Sequence, residues 1–248
     1  MLKRLFDISL SAVGLLLTFP ILSIAAFFVW FQDRYSPFYV SCRVGQFGQS
    51  FRMIKLRSMV VNADKSGVDS TAVDDQRITA VGQFIRRYKL DELVQLWNVL
   101  KGDMSLVGPR PNVKRETDLY TPVERRLLSV KPGITDFASI VFADEGDILR
   151  SHSDPDIAYN QLIRPGKSLL GLIYIDNQSL MLDAKLCILT LISLLSREKA
   201  LSSVHTILQK LNAPEYALTV TQRKGRLVPR PPPGADQVVT SRSDSTLS

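Results

Sequence analysis

Asp91 and Glu92 are adjacent carboxylates at the start of a helical pattern, and basic residues bracket them: Arg86, Arg87 and Lys89 before, Arg110 after. Acids at a helix N-terminus are favourable by a few tenths to about 1 kcal/mol each, so the pair alone carries no chemistry. The neighbours change that. A guanidinium binds phosphate through two parallel hydrogen bonds, and Arg110 is braced between Pro109 and Pro111, so it loses less freedom on doing so. Carboxylates beside phosphate-binding arginines suit Mg²⁺, which takes carboxylate and phosphate oxygens together. They also suit a nucleophile, because carboxylates form acyl-phosphate intermediates. The combination points to phosphoryl transfer. Neither GxxxxGK[ST] nor GxGxxG occurs, which excludes an ordinary P-loop or dinucleotide-binding enzyme.

The elements that must position these groups follow from patterning. LDELVQLWNVLKG, residues 90–102, reads as one helix. At 100° per residue Leu90, Leu93, Val94, Leu96, Trp97 and Leu100 share one face, with Asp91, Glu92, Gln95 and Asn98 on the other. Gly102 is its stop. FYVSCRVGQFGQSFRMIKL, residues 38–56, reads as two strands around a Gly45–Gly48 turn. Residues 34–63 carry five basic side chains and no acid, suited equally to anionic headgroups and to a phosphorylated substrate. Residues 62–77 read as a flexible polar loop. Residues 112–131 read as helical, KPGIT as a turn into a β-like run FASIVF, 155–165 as a helix ending at Pro165, and 180–195 as an amphipathic helix. From Arg223 the chain is rich in proline and serine and reads as a solvated tail.

Residues 8–32 hold no charge over 25 positions. As a helix this run is about 37 Å long, enough for the roughly 30 Å of a bilayer core. No small-x-small cleavage site clearly follows it, as a signal peptide would require. Pro20 sits at its middle, so the helix either kinks and spans or turns back to the same side, with Thr18 or Ser23 hydroxyls helping to repair the ladder. Lys3 and Arg4 precede the run and Arg34 and Arg43 follow it, a symmetry that favours both ends on the cytoplasmic face.

The net charge of +7 favours an anionic partner. Two cysteines and two histidines exclude a disulfide framework and a multi-histidine metal site, and the scarcity of cysteine fits the cytosol.

Four segments in order, KRLFDISLSAVGLLLTFP, FRMIKLRSM at 51–59, LDELVQLWNVLKGDMSLVGPRP at 90–111 and KPGIT at 131–135, resemble the bacterial sugar transferases that are monotopic polyprenyl-phosphate phosphoglycosyl transferases, in their small catalytic-domain form. The resemblance covers residues 1–200. It implies transfer of a phosphosugar from a UDP-sugar to a polyprenyl (undecaprenyl) phosphate with Mg²⁺, releasing UMP. It further implies that Asp91 is the nucleophile and passes through an aspartyl-phosphosugar ester. Glu92 would assist with metal and proton handling, and both acids would hold the metal. Arg86, Arg110, Lys55 and Arg57 would meet substrate, and the proline-broken helix at Pro20 would enter the bilayer and return. Val94 and Asp136 depart from the family pattern. Asp144, Glu145 and Asp147 fall near a sugar pocket or form a solvated loop, and are read as the loop.

The expected fold is α+β, mostly helical, with a small β-hairpin and interfacial amphipathic helices. The expected division is an anchoring helix over 1–33, a catalytic domain over 34–200, a helical extension over 201–222 and a disordered tail over 223–248. The expected setting is the cytosolic face of the bacterial cytoplasmic membrane, with membrane lipids, UDP-sugar and polyprenyl phosphate as partners, no nucleic acid, and a homo-oligomer left open. The alternative is a non-catalytic membrane-anchored protein that binds anionic lipid or nucleic acid through its basic hairpin. It lacks a nucleic-acid fold or aromatic–basic platform. The dyad and Pro-Arg-Pro also argue against a degenerate scaffold.

Overall fold

A computed structural model describes residues 1–63, 71, 74–150, 152–223 and 225–240. Helix α1 (Leu2–Asp33) leads into a hairpin, β1 (Phe38–Val44) and β2 (Ser50–Leu56), paired antiparallel from Phe38–Leu56 to Val44–Ser50. There follow α2 (Ala80–Arg87), α3 (Leu90–Leu93), α4 (Leu96–Lys101), β3 (Ser105–Val107), α5 (Lys114–Thr117) and β4 (Gly133–Thr135). The remainder is helical: α6 (Phe137–Val141), α7 (Glu145–Leu149), α8 (Pro155–Ala158), α9 (Arg164–Asp176), α10 (Leu180–Leu195), α11 (Arg197–Lys210) and α12 (Glu215–Gln222). Most of the loop expected over 62–77 lies outside the described residues.

Helix α1 runs unbroken through Pro20. Pro20 has no N–H to give the carbonyl four residues back, and the Thr18 hydroxyl donates to the Gly14 carbonyl at 2.7 Å. Asp7, Ser11, Ala25 and Val29 are its buried residues, spaced so that they fall on one face. Leu16, Leu17, Phe19, Ile21 and Ile24 are exposed. Both ends are held by polar contacts. Lys3 Nζ donates to Asp183 at 2.6 Å and to the Val107 carbonyl at 3.2 Å. Arg4 donates to the carbonyls of Val99 and Leu100, and Asp7 accepts from Ser105 Oγ and the Leu106 N–H. At the far end Arg57 donates to both oxygens of Asp33, at 2.5 and 2.7 Å.

Two cores result. The larger gathers Met104, Phe137, Ile140, Leu149, Ile163, Leu170, Tyr174, Leu186 and Leu208. The smaller, Ala25, Val29, Leu56, Ile85, Leu90 and Val94, glues α1, β2, α2 and α3 together. At roughly 1.5–3 kcal/mol per buried aliphatic side chain, it is what fixes the dyad's helix.

Several expectations require correction. The single helix over 90–102 is two short ones with a turn between. Both faces are buried in part: Leu90, Val94 and Leu96 enter the cores as expected, but Gln95 and Asn98 on the polar face are 2% and 0% exposed, and Trp97 is exposed. Asn98 explains this, accepting from the Ile54 N–H and donating to the Arg52 carbonyl, so it stitches α4 to β2. FASIVF is not β-like. Asp136 caps α6 by accepting from the Ser139 N–H at 2.7 Å, and a satisfied cap outweighs weak β propensity. Pro165 starts α9 rather than ending a helix, the N-terminal position proline favours. Within 112–131 only α5 and a 3₁₀ stretch over Glu124–Ser129 are helical.

The tail expected over 223–248 is not free over 225–240. The Arg230 N–H donates to the Gln161 carbonyl, Gln161 donates to the Val239 carbonyl, and Arg230 lies 4.4 Å over the Tyr216 ring. Residues 241–248 lie outside the described residues.

Candidate active site

Lys89 adopts a left-handed conformation, φ 56°, and this sharp corner starts α3. Leu90 and Val94 drop into the smaller core, which leaves Asp91 and Glu92 to border the cleft. Asp91 is 7% exposed. Its Oδ2 stands 3.9 Å from Lys55 Nζ on β2, and its Oδ1 is buried with no hydrogen-bond partner. Glu92 Oε1 accepts from Arg110 at 2.6 Å.

Arg110 is aimed by backbone. Strands β3 and β4 pair in parallel, a sheet too short for the sequence pattern to show. They pass so closely that a Cβ on Gly133 would lie 2.1 Å from the Gly108 nitrogen. The Gly108 N–H bonds the Thr135 carbonyl and the Gly133 N–H bonds the Pro109 carbonyl, each at 3.0 Å. Arg110 therefore leaves a pinned strand end.

The electrostatics are tightly coupled. Burial lowers Lys55 to about 8, helped by Arg110 and Arg43 and opposed by Glu92 and Asp91. For Glu92 burial acts upward, but Arg110, Lys55 and Lys89 overcome it and hold the carboxyl well below its usual range. Glu92 in turn raises Arg110. Glu92 is thus a fixed anion.

Among the described residues no group of three or more His, Cys, Asp and Glu could hold a metal unaided. Mg²⁺ asks for less, one or two carboxylates plus substrate phosphates. The Asp91 carboxylate, next to a Glu92 that stays ionised, fits that demand.

The other expected residues divide. Arg86, in the last turn of α2, borders the same cleft as Asp91, Glu92, Lys55, Lys89 and Arg110. Arg57 also borders it, but its donors are committed elsewhere: to Asp33, the Ser36 carbonyl and, more weakly, the Val29 and Tyr35 carbonyls. It clasps the end of α1 rather than reaching for substrate. Pro20 lies two residues from Thr18, which lines the cleft's far edge.

A second wall of the cleft comes from the segment read from sequence as a solvated loop. Asp144 pairs with Arg197 at 2.8 Å and Arg223 at 2.6 Å, and Glu145 pairs with Lys167, which lies 5.1 Å over the Tyr159 ring. Asp144 and Glu145 are therefore not a solvated loop, although Asp147 is exposed beside Arg150. Burial acts to raise Glu145, but Lys167, Arg110 and Lys89 lower it overall. Burial raises Asp136, against its bonds to Ser139. The one sequence signal was Asp136 three residues before Ser139, a cap ahead of an apolar run. The cleft is open and about 1660 Å³, larger than the roughly 300–1,000 Å³ of a single small-ligand site.

Comparison with known proteins shows what the chain is similar to. A family profile described as bacterial sugar transferase matches residues 1–197. The sugar transferase EpsL of Bacillus subtilis (strain 168) is 34% identical over 84% of this chain and 95% of its own length. The galactosyl transferase CpsE of Streptococcus agalactiae serotype III (strain NEM316) is 36% identical over 76% of this chain and 41% of its own. The undecaprenyl-phosphate galactose phosphotransferase of Salmonella typhimurium (strain LT2) is 41% identical over 54% of this chain and 31% of its own. The chain thus spans less than half the length of the last two.

Proposed function

The chain belongs to the bacterial sugar transferase family, and on that premise we propose that it moves a phosphosugar from a UDP-sugar to a polyprenyl phosphate. The observation that carries the reading is Asp91 Oδ1, a buried carboxylate oxygen without a hydrogen-bond partner, on a side chain flanked by Lys55 and Arg110. The products are polyprenyl-diphosphate-sugar and UMP.

The residues act as follows. Arg110, Lys55 and Arg86 hold the diphosphate and offset its charge. Asp91 Oδ1 attacks the sugar-linked phosphorus, and the bond from that phosphorus to the UMP oxygen breaks. The resulting aspartyl-phosphosugar ester is attacked by a phosphate oxygen of the acceptor, which restores the Asp91 carboxylate. No proton is needed on either leaving group at neutral pH, so an anionic Glu92 is suited to orienting Arg110 and sharing a metal, not to donating a proton. Bound Mg²⁺ would supply charge neutralisation at the phosphates, held by Asp91 and Glu92.

The membrane reading belongs to the same proposal. Helix α1 dips into the bilayer with both ends held at the cytosolic face of the cytoplasmic membrane, a course that asks for a bend at Pro20 beyond the unbroken helix described above. It is the only helix among the described residues long and apolar enough to cross. Lys3, Arg4 and Asp7 at one end and Asp33 at the other all bond the same domain, which disfavours a simple span. A passive lipid-binding protein would not need the Asp91 arrangement.

The test is incubation with a panel of UDP-sugars, Mg²⁺ and undecaprenyl phosphate, reading UMP release and label on lipid. A phosphosugar adduct mapped to Asp91 by mass spectrometry supports the mechanism. Undiminished turnover by Asp91→Asn would sink the nucleophile.

A further inference from the structure

The cleft that holds Asp91 does not close at its polar end. It continues past Leu96 to Thr18 on α1 and to Thr190, Leu191, Ser193 and Leu194 on α10. Helices α1 and α10 are tied together near their starts by Lys3 and Asp183. From that tie, Thr18 lies about 22 Å along α1 and Leu194 about 16 Å along α10. Both helices carry an exposed apolar face there: Leu17 and Ile21 on one, Leu191, Leu194 and Leu195 on the other.

The hydroxyls at this edge are turned away from the opening. Thr18 donates to the Gly14 carbonyl, Thr190 to the Leu186 carbonyl and Ser193 to the Thr190 carbonyl, each at 2.7 Å. Thr135 shares its hydroxyl with Thr190. With those groups satisfied, the opening presents hydrocarbon to its occupant, while the same cleft ends in cations at Asp91. An amphiphile with an anionic head and a long apolar tail matches both ends.

We infer that the gap between the Thr18 turn of α1 and the Thr190–Leu194 turn of α10 is the mouth through which an isoprenoid phosphate lays its tail, head toward Asp91. Leu191 and Leu194 grip the first isoprene units, and the rest of the tail stays in lipid. This rests on the acceptor assigned under the proposed function. Leu195 is 91% exposed on the same helix but does not border the cleft, so it serves as an internal control for plain adsorption to a membrane.

The experiment is saturation photolabelling of the full chain in nanodiscs with a diazirine-tailed polyprenyl phosphate, mapped by mass spectrometry. Label is expected on residues 190–194 and around Thr18, competed by undecaprenyl phosphate. The Leu191→Glu, Leu194→Glu double variant is expected to weaken saturation about tenfold or more, and Leu195→Glu is expected not to. Label spread evenly back along Met181–Ile188, or equal loss in Leu195→Glu, overturns the mouth. Neither readout needs turnover, so UMP release by the same preparation reports separately whether the sugar-transfer reading stands.

Discussion

Lys55 Nζ stands 3.9 Å from Asp91 Oδ2, within ion-pair range but beyond a hydrogen bond, while the neighbouring Glu92 is gripped by Arg110 at 2.6 Å. Two adjacent carboxylates therefore have different duties. The tightly held one is a fixed charge. The loosely held one keeps an oxygen without a hydrogen-bond partner, as the proposed nucleophile requires.

The Lys55 environment sets a pH dependence. Burial and nearby arginines bring its pKa to about 8, and only the ammonium form offsets a phosphate. In free enzyme kcat/KM for the UDP-sugar is expected to fall as pH rises through 8. Lys55→Arg, which stays charged, should carry the alkaline limb to higher pH even if its maximum is lower. Stability moves the other way. Between about 8 and the ordinary lysine value of 10.5 the unfolded chain binds more protons than the native one, so this residue's contribution to stability improves with pH. An alkaline limb unchanged in Lys55→Arg would remove Lys55 from phosphate binding.

Arg57 and Lys55 sit two residues apart on the hairpin's exit and are expected to fail differently. Arg57→Met strands Asp33 and frees the end of α1, so it should lower Tm and expose α1 to protease. The KM for UDP-sugar of the folded fraction should stay within about twofold. Lys55→Met should raise that KM or lower kcat about tenfold or more with little loss of Tm. Thermal melts and steady-state kinetics on both variants decide the assignment.

Gly133→Ala tests how Arg110 is aimed. The added Cβ meets Gly108 backbone, at 2.1 Å from its nitrogen, and backbone cannot rotate aside as a side chain can. Overpacking costs of about 1–3 kcal/mol should appear as a lowered Tm. A larger loss in kcat/KM than the unfolded fraction explains should accompany it, because Pro109–Arg110 moves with the strand. Gly48→Ala is the contrast. Its Cβ meets nothing within 4 Å, and only its positive φ of 76° is strained.

What the sequence disclosed follows from range. The hairpin and α10 were legible because alternation and helical period are local signals. The helix over 90–102 misled because its polar stripe is buried: Asn98 bonds β2 across 44 and 46 positions of chain. Strands β3 and β4 are three residues each and exist through a glycine-to-glycine approach across 25 positions. Glu145 and Lys167 are 22 apart, and nothing local marks either as a partner.

The Asp144 hub shows how the chain beyond residue 197 supports this second wall. Asp144 is shared by Arg197 and Arg223, and Arg223 lies past the stretch that matches the family profile. Removing one arginine leaves the acid paired, so Arg223→Met should cost about 1 kcal/mol, the upper range for a partly exposed pair. Removing the acid leaves two guanidinium groups without their shared partner, Arg223 15% and Arg197 36% exposed, with Arg197 Nε and Arg223 NH1 already lacking hydrogen-bond partners. Asp144→Asn, which loses both pairs, should therefore cost more, about 1–2 kcal/mol, and the double variant Asp144→Asn, Arg223→Met should recover part of it. Because Asp144 starts the turn that presents Glu145 to the cleft, the same order should hold for the KM of the UDP-sugar: Arg223→Met least affected, Asp144→Asn most, the double variant between. Denaturant melts and UMP-release kinetics on the three variants measure both series. A double variant worse than Asp144→Asn would mean that Arg223 is held by something other than Asp144.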